Sequence, residues 1–156
     1  MARDIPIFSI GEIEDFMKHE FTSFTNEDAV DLGLTAVEVI SDWELNLAVD
    51  IVIGSDLVFR AKLGKTGPEN DEWLAGKAAV ARLYGEPSLL VRLRHDAAGT
   101  KFSDKADIDH DTHRAHGGSI PIFVAGELVG TITMSGEPDA IDHEAAAEAV
   151  RRYLGG

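Results

Sequence analysis

Six histidines occur in this 156-residue chain, and four of them fall between His110 and His143. In Asp109-His110-Asp111-Thr112-His113-Arg114-Ala115-His116 the imidazoles recur at every third residue. On a helix His110 and His113 would share a face, with His116 about 60° farther round. Imidazoles beside carboxylates are suitable donors for zinc, nickel or iron. The HExxH register of zinc hydrolases is absent. The plainer expectation is a polar loop whose imidazoles bind backbone groups.

A second constellation follows directly, His116-Gly117-Gly118-Ser119. Paired glycines let the backbone approach a ligand, and successive N–H groups can form an anion-binding nest. The Ser119 and Ser135 hydroxyls join it if the intervening hairpin brings its ends together. Farther on, Ser135-Gly136-Glu137-Pro138-Asp139-Ala140-Ile141-Asp142-His143 leads from a strand end into a helix start. Asp139 and Asp142 are expected to satisfy first-turn N–H groups. His143 can serve as a general base if a carboxylate orients it. The nucleophile-elbow pattern GxSxG is absent. The candidate ligand-binding set is therefore His116, Gly117, Gly118, Ser119, Ser135 and His143.

These residues need a scaffold, and hydrophobic periodicity supplies one. A short helix is expected over 12–21, with Ile13, Phe16, Met17 and Phe21 inward. Thr25-Asn26-Glu27-Asp28 has the form of a capping box, and apolar residues follow at Ala29, Val30, Leu34, Val37 and Ile40. Gly33 in that helix is expected to permit close packing on a sheet. Alternation from Leu45 to Ile53 and from Leu57 to Leu63, around Gly54-Ser55-Asp56, predicts a hairpin. Thr66-Gly67-Pro68-Glu69 predicts a helix capped by Thr66, with Trp73, Leu74, Lys77, Val80, Ala81 and Tyr84 near one face. Trp73 and Trp43 are expected to anchor the core or a subunit contact. A further helix is expected over 88–97, then a polar loop over 98–112. A second hairpin spans 120–134, its first strand at an edge because Pro121 cannot donate to a ladder. A closing helix over 139–153 ends the chain. Helices on both faces of an antiparallel sheet make an α+β layered domain, a single one over residues 1–156.

Composition narrows the partners. A net charge of -14 disfavours nucleic acid, whose affinity depends on clustered Lys and Arg, and an anionic membrane surface likewise. The absence of cysteine excludes disulfides, thiolate metal sites and Cys nucleophiles. The first sixteen residues carry four acids and no long apolar run, unlike a signal peptide, so a cytoplasmic protein is expected.

Gly117-Gly118, Pro121-Ile122, Gly126, Gly130, Ser135-Gly136 and Asp142 together resemble the haem-degrading-domain family, which includes GlcG-like proteins and extracellular haem-binding sensors. The runs Phe24-Thr25-Asn26-Glu27-Asp28-Ala29 and Gly64 to Trp73 extend the likeness over most of residues 25–154. They point to a branch other than the haem-sensor branch. The resemblance implies a profilin-like three-layer α/β/α sandwich with a central antiparallel sheet, a homo-oligomer, and haem or iron as the ligand. His113, His116 and His143 are then the candidate metal donors, with Met134 as a further axial candidate, although no CxxCH attachment motif is present. Two other readings stay open. One is a non-catalytic oligomer that binds a small ligand or acts as a scaffold; the other is a metal-dependent enzyme using the histidine cluster.

Overall fold

A computed structural model describes residues 3–155. The chain runs α1 (Ile10–Phe16), α2 (Asn26–Asp42), β1 (Ala48–Ile53), β2 (Asp56–Lys62), α3 (Glu69–Tyr84), α4 (Ser88–Ala98), β3 (Ser119–Val124), β4 (Glu127–Ser135) and α5 (Asp139–Gly155). The strands form one antiparallel sheet in the order β2-β1-β4-β3. α2 and α5 pack on one face and α3 on the other, which gives the expected three layers.

The two faces of the sheet differ because side chains alternate along each strand. Toward α2 and α5 it presents Val49, Ile51, Ile120, Ile122, Ile132 and Met134, all buried in one apolar cluster. Gly33 of α2 lies against this layer, and a Cβ there would overlap the Phe59 ring. The opposite face carries buried Asp50, Ser119, Thr131 and Thr133. Ser119 and Thr133 share a hydroxyl contact of 2.9 Å, and Arg60 donates to Asp50 at 2.9 Å. This polar face lies under α3.

Local signals placed most of the elements. Thr25 accepts from the Asp28 N–H while Asp28 accepts from that of Thr25, the expected capping box of α2. Apolar spacing did not settle which side of that helix is inside: Val30 and Leu34 are exposed, while Leu32, Ala36 and Val39 are buried. α1 starts earlier than expected because Ser9 and Glu12 form a capping box of their own, and it ends at Phe16. Phe21 lies beyond the helix and bridges Val124, so its backbone extends the sheet's rim. Thr66 does not cap α3. Its hydroxyl donates to the Leu63 carbonyl at 3.0 Å, and Asn70 Oδ1 instead accepts from the Gly67 N–H at 2.9 Å. β3 is the edge strand that Pro121 required, and Ser88 at the start of α4 covers it by accepting from the Ser119 N–H at 3.0 Å.

The segment from Gly99 to Gly118 is a long excursion with one short 3-10 turn, Phe102–Asp104. Buried Phe102 anchors it, packed with Val80, Val91 and Ala115. No described helix is long and apolar enough to cross a membrane.

Candidate functional site

Residues from α3, the Gly117–Gly118 turn and the start of α5 converge at one end of the polar face. Lys77 stands on the inward side of α3, three residues from both Leu74 and Val80, and is 3% exposed. Its ammonium donates to Asp142 Oδ2 at 2.7 Å and to the Met134 carbonyl at 3.0 Å. Asp142 Oδ1 accepts from the Glu137 N–H at 3.0 Å. Burial nonetheless pushes the Asp142 carboxyl up to about 6, because removing a charge from water outweighs the attraction of Lys77. Beside the pair, Asn70 Nδ2 donates to Ser135 Oγ at 3.2 Å.

The double glycine is what lets these groups meet. Gly118 has φ +139°, and a Cβ there would strike the Met134 carbonyl and crowd Lys77 Nζ. The Gly117 N–H donates to Asp139 Oδ2 at 2.9 Å, and Arg92 Nε donates to the same oxygen at 2.8 Å. Burial opposes ionisation of Asp139, but the Gly117 N–H and the Arg92 guanidinium prevail and hold its pKa below the ordinary value. Asp139 and Asp142 thus tie the turn and α3 to α5 rather than filling the first-turn N–H groups of α5.

Two hollows flank this junction. One of about 310 Å3 is lined by Lys77, Asn70, Ser135, Asp139 and Asp142. A wider one of about 430 Å3 lies under the excursion, bordered by Phe102, Arg92, Arg114, His95, His110 and His113. Trp73 and His116 border both. Their rings meet edge to face with centroids 5.2 Å apart, and Arg114 lies over the indole at 4.4 Å. Trp73 is therefore a wall of the site and not a buried anchor.

The histidines divide by what holds them. His110 contacts the Lys105 carbonyl at 2.7 Å, His113 Nδ1 contacts the Asp109 carbonyl at 3.2 Å, and His95 contacts Thr100 at 2.8 Å. No helix forms over 109–116, so the expected loop with backbone-bound imidazoles is what His110 and His113 show. Among the described residues His116 has no such anchor. Partial burial, together with the positive charges of Lys77, Arg92 and Arg114, holds its pKa below the usual histidine value despite nearby Asp139.

Of the residues singled out from sequence, His116, Ser135 and the backbone of Gly117 and Gly118 do gather here. Ser119 is adjacent but fully buried, committed to Thr133 and Ser88. His143 looks elsewhere, into a hollow beneath Phe8, so His113, His116 and His143 do not surround a common point. Among the described residues, no group of three or more His, Asp or Glu side chains is placed to hold a metal ion. Met134 is fully buried in the apolar cluster on the other face, out of reach of these hollows. Sequence reasoning missed Lys77 as a site residue. The available signal was a lysine inside an apolar helical stripe.

Comparison with known proteins agrees with this architecture. The UPF0303 protein SCO2848 of Streptomyces coelicolor is 40% identical over 149 residues, covering 94% of each chain. The crystal structure of Ybr137w protein shares the fold, with a TM-score of 0.84 at 24% identity over 94% of this chain and 88% of that one. The structure of a PduOC:heme complex shares it too, at 0.69 and 18% identity over 82% and 93%. The family model described as haem degrading protein HbpS-like matches residues 24–151, and the chain belongs to that family.

Proposed function

We propose that the protein binds haem in the hollow under the Gly99–Gly118 excursion, with His116 as its contact to the iron. The observation that carries this reading is His116 itself. It is an imidazole whose surroundings lower its pKa, without a hydrogen-bond partner among the described residues, and placed where two hollows meet. A neutral imidazole nitrogen is a common ligand of haem iron. Trp73 and Phe102 offer aromatic surface to a flat macrocycle, and Arg114 and Lys101 offer charge to its carboxylates. His113 is a second donor candidate, since its Nδ1 contact with the Asp109 carbonyl leaves Nε2 available. The donor set therefore fits the group. Haem, when bound, would supply a redox-active iron; these residues bind it, orient it and limit its access to water. The family match and the haem held by PduOC support the same reading.

Self-association is part of this proposal. Val30 and Leu34, one turn apart on α2, leave apolar surface at 39% and 57% exposure, which suits contact with a second copy. Light scattering on the purified protein reads the mass directly.

Titration with haemin tests the ligand. A saturable, shifted Soret band at one haem per chain is expected, and His116→Ala should abolish it. A wild-type spectrum indistinguishable from haemin with a neutral control protein would overturn the proposal. The smaller hollow beside Lys77, Asn70 and Ser135 would then leave a non-catalytic polar-ligand role as the better reading.

A further inference from the structure

His143 borders a third hollow, of about 430 Å3, which shares no lining residue with the two around His116. Phe8, Ile13, Phe16 and Ala147 supply its apolar walls. The imidazole is 1% exposed and meets Phe8 edge to face, with ring centroids 4.9 Å apart. Its Nδ1 is buried with no hydrogen-bond partner among the described residues. Native proteins rarely leave such a nitrogen bare, because its lost hydration goes uncompensated.

The rim charges narrow what the hollow can take. Glu12 accepts from the Ser9 N–H at 2.8 Å, Asp15 pairs with Lys18 at 2.8 Å, and Arg151 pairs with Glu148 at 2.9 Å. His19 completes the rim, and all these charged groups stand at the mouth while the walls behind are apolar, so an ion moving inside would be poorly compensated. A neutral imidazole presents one donor and one acceptor, and a hydroxyl can answer either. The hollow also falls within the roughly 300–1,000 Å3 range typical of small-molecule sites. We propose that it is a second ligand site, which takes an uncharged aromatic molecule bearing one hydroxyl group. The aromatic body packs on Phe8 and Phe16 while the hydroxyl bonds the ring of His143.

Phenol, toluene and benzoate, titrated into wild-type protein labelled with 15N at histidine, separate the possibilities. Phenol should move the His143 ring signals saturably and bind about tenfold tighter than toluene, the worth of one good hydrogen bond. Benzoate should bind no better than toluene. In His143→Leu the advantage of phenol should vanish while toluene still binds. Equal affinity for phenol and toluene in the wild type would overturn the proposal. So would His143 signals that phenol leaves unmoved, as expected if water or another copy's side chain fills the space. The wild-type comparison decides even if the variant folds poorly, and haemin is absent throughout, so this result and that of the haem titration stand apart.

Discussion

Asp142 and His143 are neighbours in sequence and both 1% exposed, yet they belong to different regions of the molecule. Successive residues on a helix point about 100° apart. Asp142 therefore faces Lys77 at the polar junction, while His143 faces Phe8 in an apolar hollow. Burial acts on both by disfavouring charge, with opposite results. It makes the carboxyl hold its proton, up to about 6, and makes the imidazole release its own, down to about 4. Arg151 adds to the second effect. Among the described residues the acid has a cation as partner and the base has no ionic partner. Adjacency along the chain thus says little about shared chemistry, and an Asp-His dipeptide on a helix is poor evidence for an acid–base pair.

The sharpest way to break the comparison is to remove the partner that only one side possesses. Lys77→Met leaves Asp142 buried without its cation and should cost about 3–5 kcal/mol of stability at neutral pH, read from urea denaturation. Lys77→Met combined with Asp142→Leu should recover most of that loss, because no buried charge remains. A double variant as unstable as the single one would mean that the pair also positions the Gly118 turn.

A smaller effect comes from titration, where the two residues oppose each other. Asp142 has its folded pKa raised from 3.8 to about 6, so between those values the folded state holds a proton that the unfolded state has released. Its contribution to stability therefore falls as pH rises through that window. His143 has its folded pKa lowered from 6.5 to about 4, so there the unfolded state holds the extra proton. Its contribution is present above the unfolded value and is lost as pH falls toward 4. Each effect is roughly 3 kcal/mol at about 1.4 kcal/mol per pKa unit, and they nearly cancel. Wild-type stability should accordingly change little from these two groups between pH 4 and 6.5. His143→Leu removes one side, and its urea midpoint should then fall as pH rises across the window. A variant whose profile parallels the wild type would show that burial does not set the His143 titration.

The same contrast explains what could be read from sequence. The first hairpin was legible because alternation along 45–53 and 57–63 reports directly on strands with two unlike faces, and Pro121 marked the edge strand of the second. The cap at Thr25 and Asp28 was legible, but the box of Ser9 and Glu12, spaced alike, was not read. Thr66 failed because its hydroxyl donates to the Leu63 carbonyl and the helix begins only at Glu69, too late for Thr66 to cap it. The polar junction was only half legible. Gly117, Gly118 and Ser135 stood out by type, but Lys77 was hidden because its partner Asp142 is 65 residues away. His143 was misplaced for the converse reason: its sequence neighbours suggested the Ser135 turn, while its contacts come from Phe8 near the other end of the chain. Long-range pairing decides both cases, and no local pattern reports it.

The smallest effect on the fold should come from the residue given the largest role in binding. His116 packs edge-on to Trp73, makes no anchoring hydrogen bond among the described residues, and stands outside the Lys77–Asp142 pair. His116→Ala should therefore change stability by no more than about 0.5 kcal/mol, as surface substitutions do. Because iron requires the neutral imidazole, and because the pKa of His116 lies below the usual histidine value, haem binding by the wild type should persist into mildly acid solution. It should fail only as pH drops through that lowered value. His143→Leu shares no hollow with the haem site and should leave the Soret band and its pH profile unchanged. A Soret band that survives His116→Ala but disappears with His113→Ala would move the iron contact three residues upstream. A band lost only with His143→Leu would instead join the two regions that the geometry keeps apart.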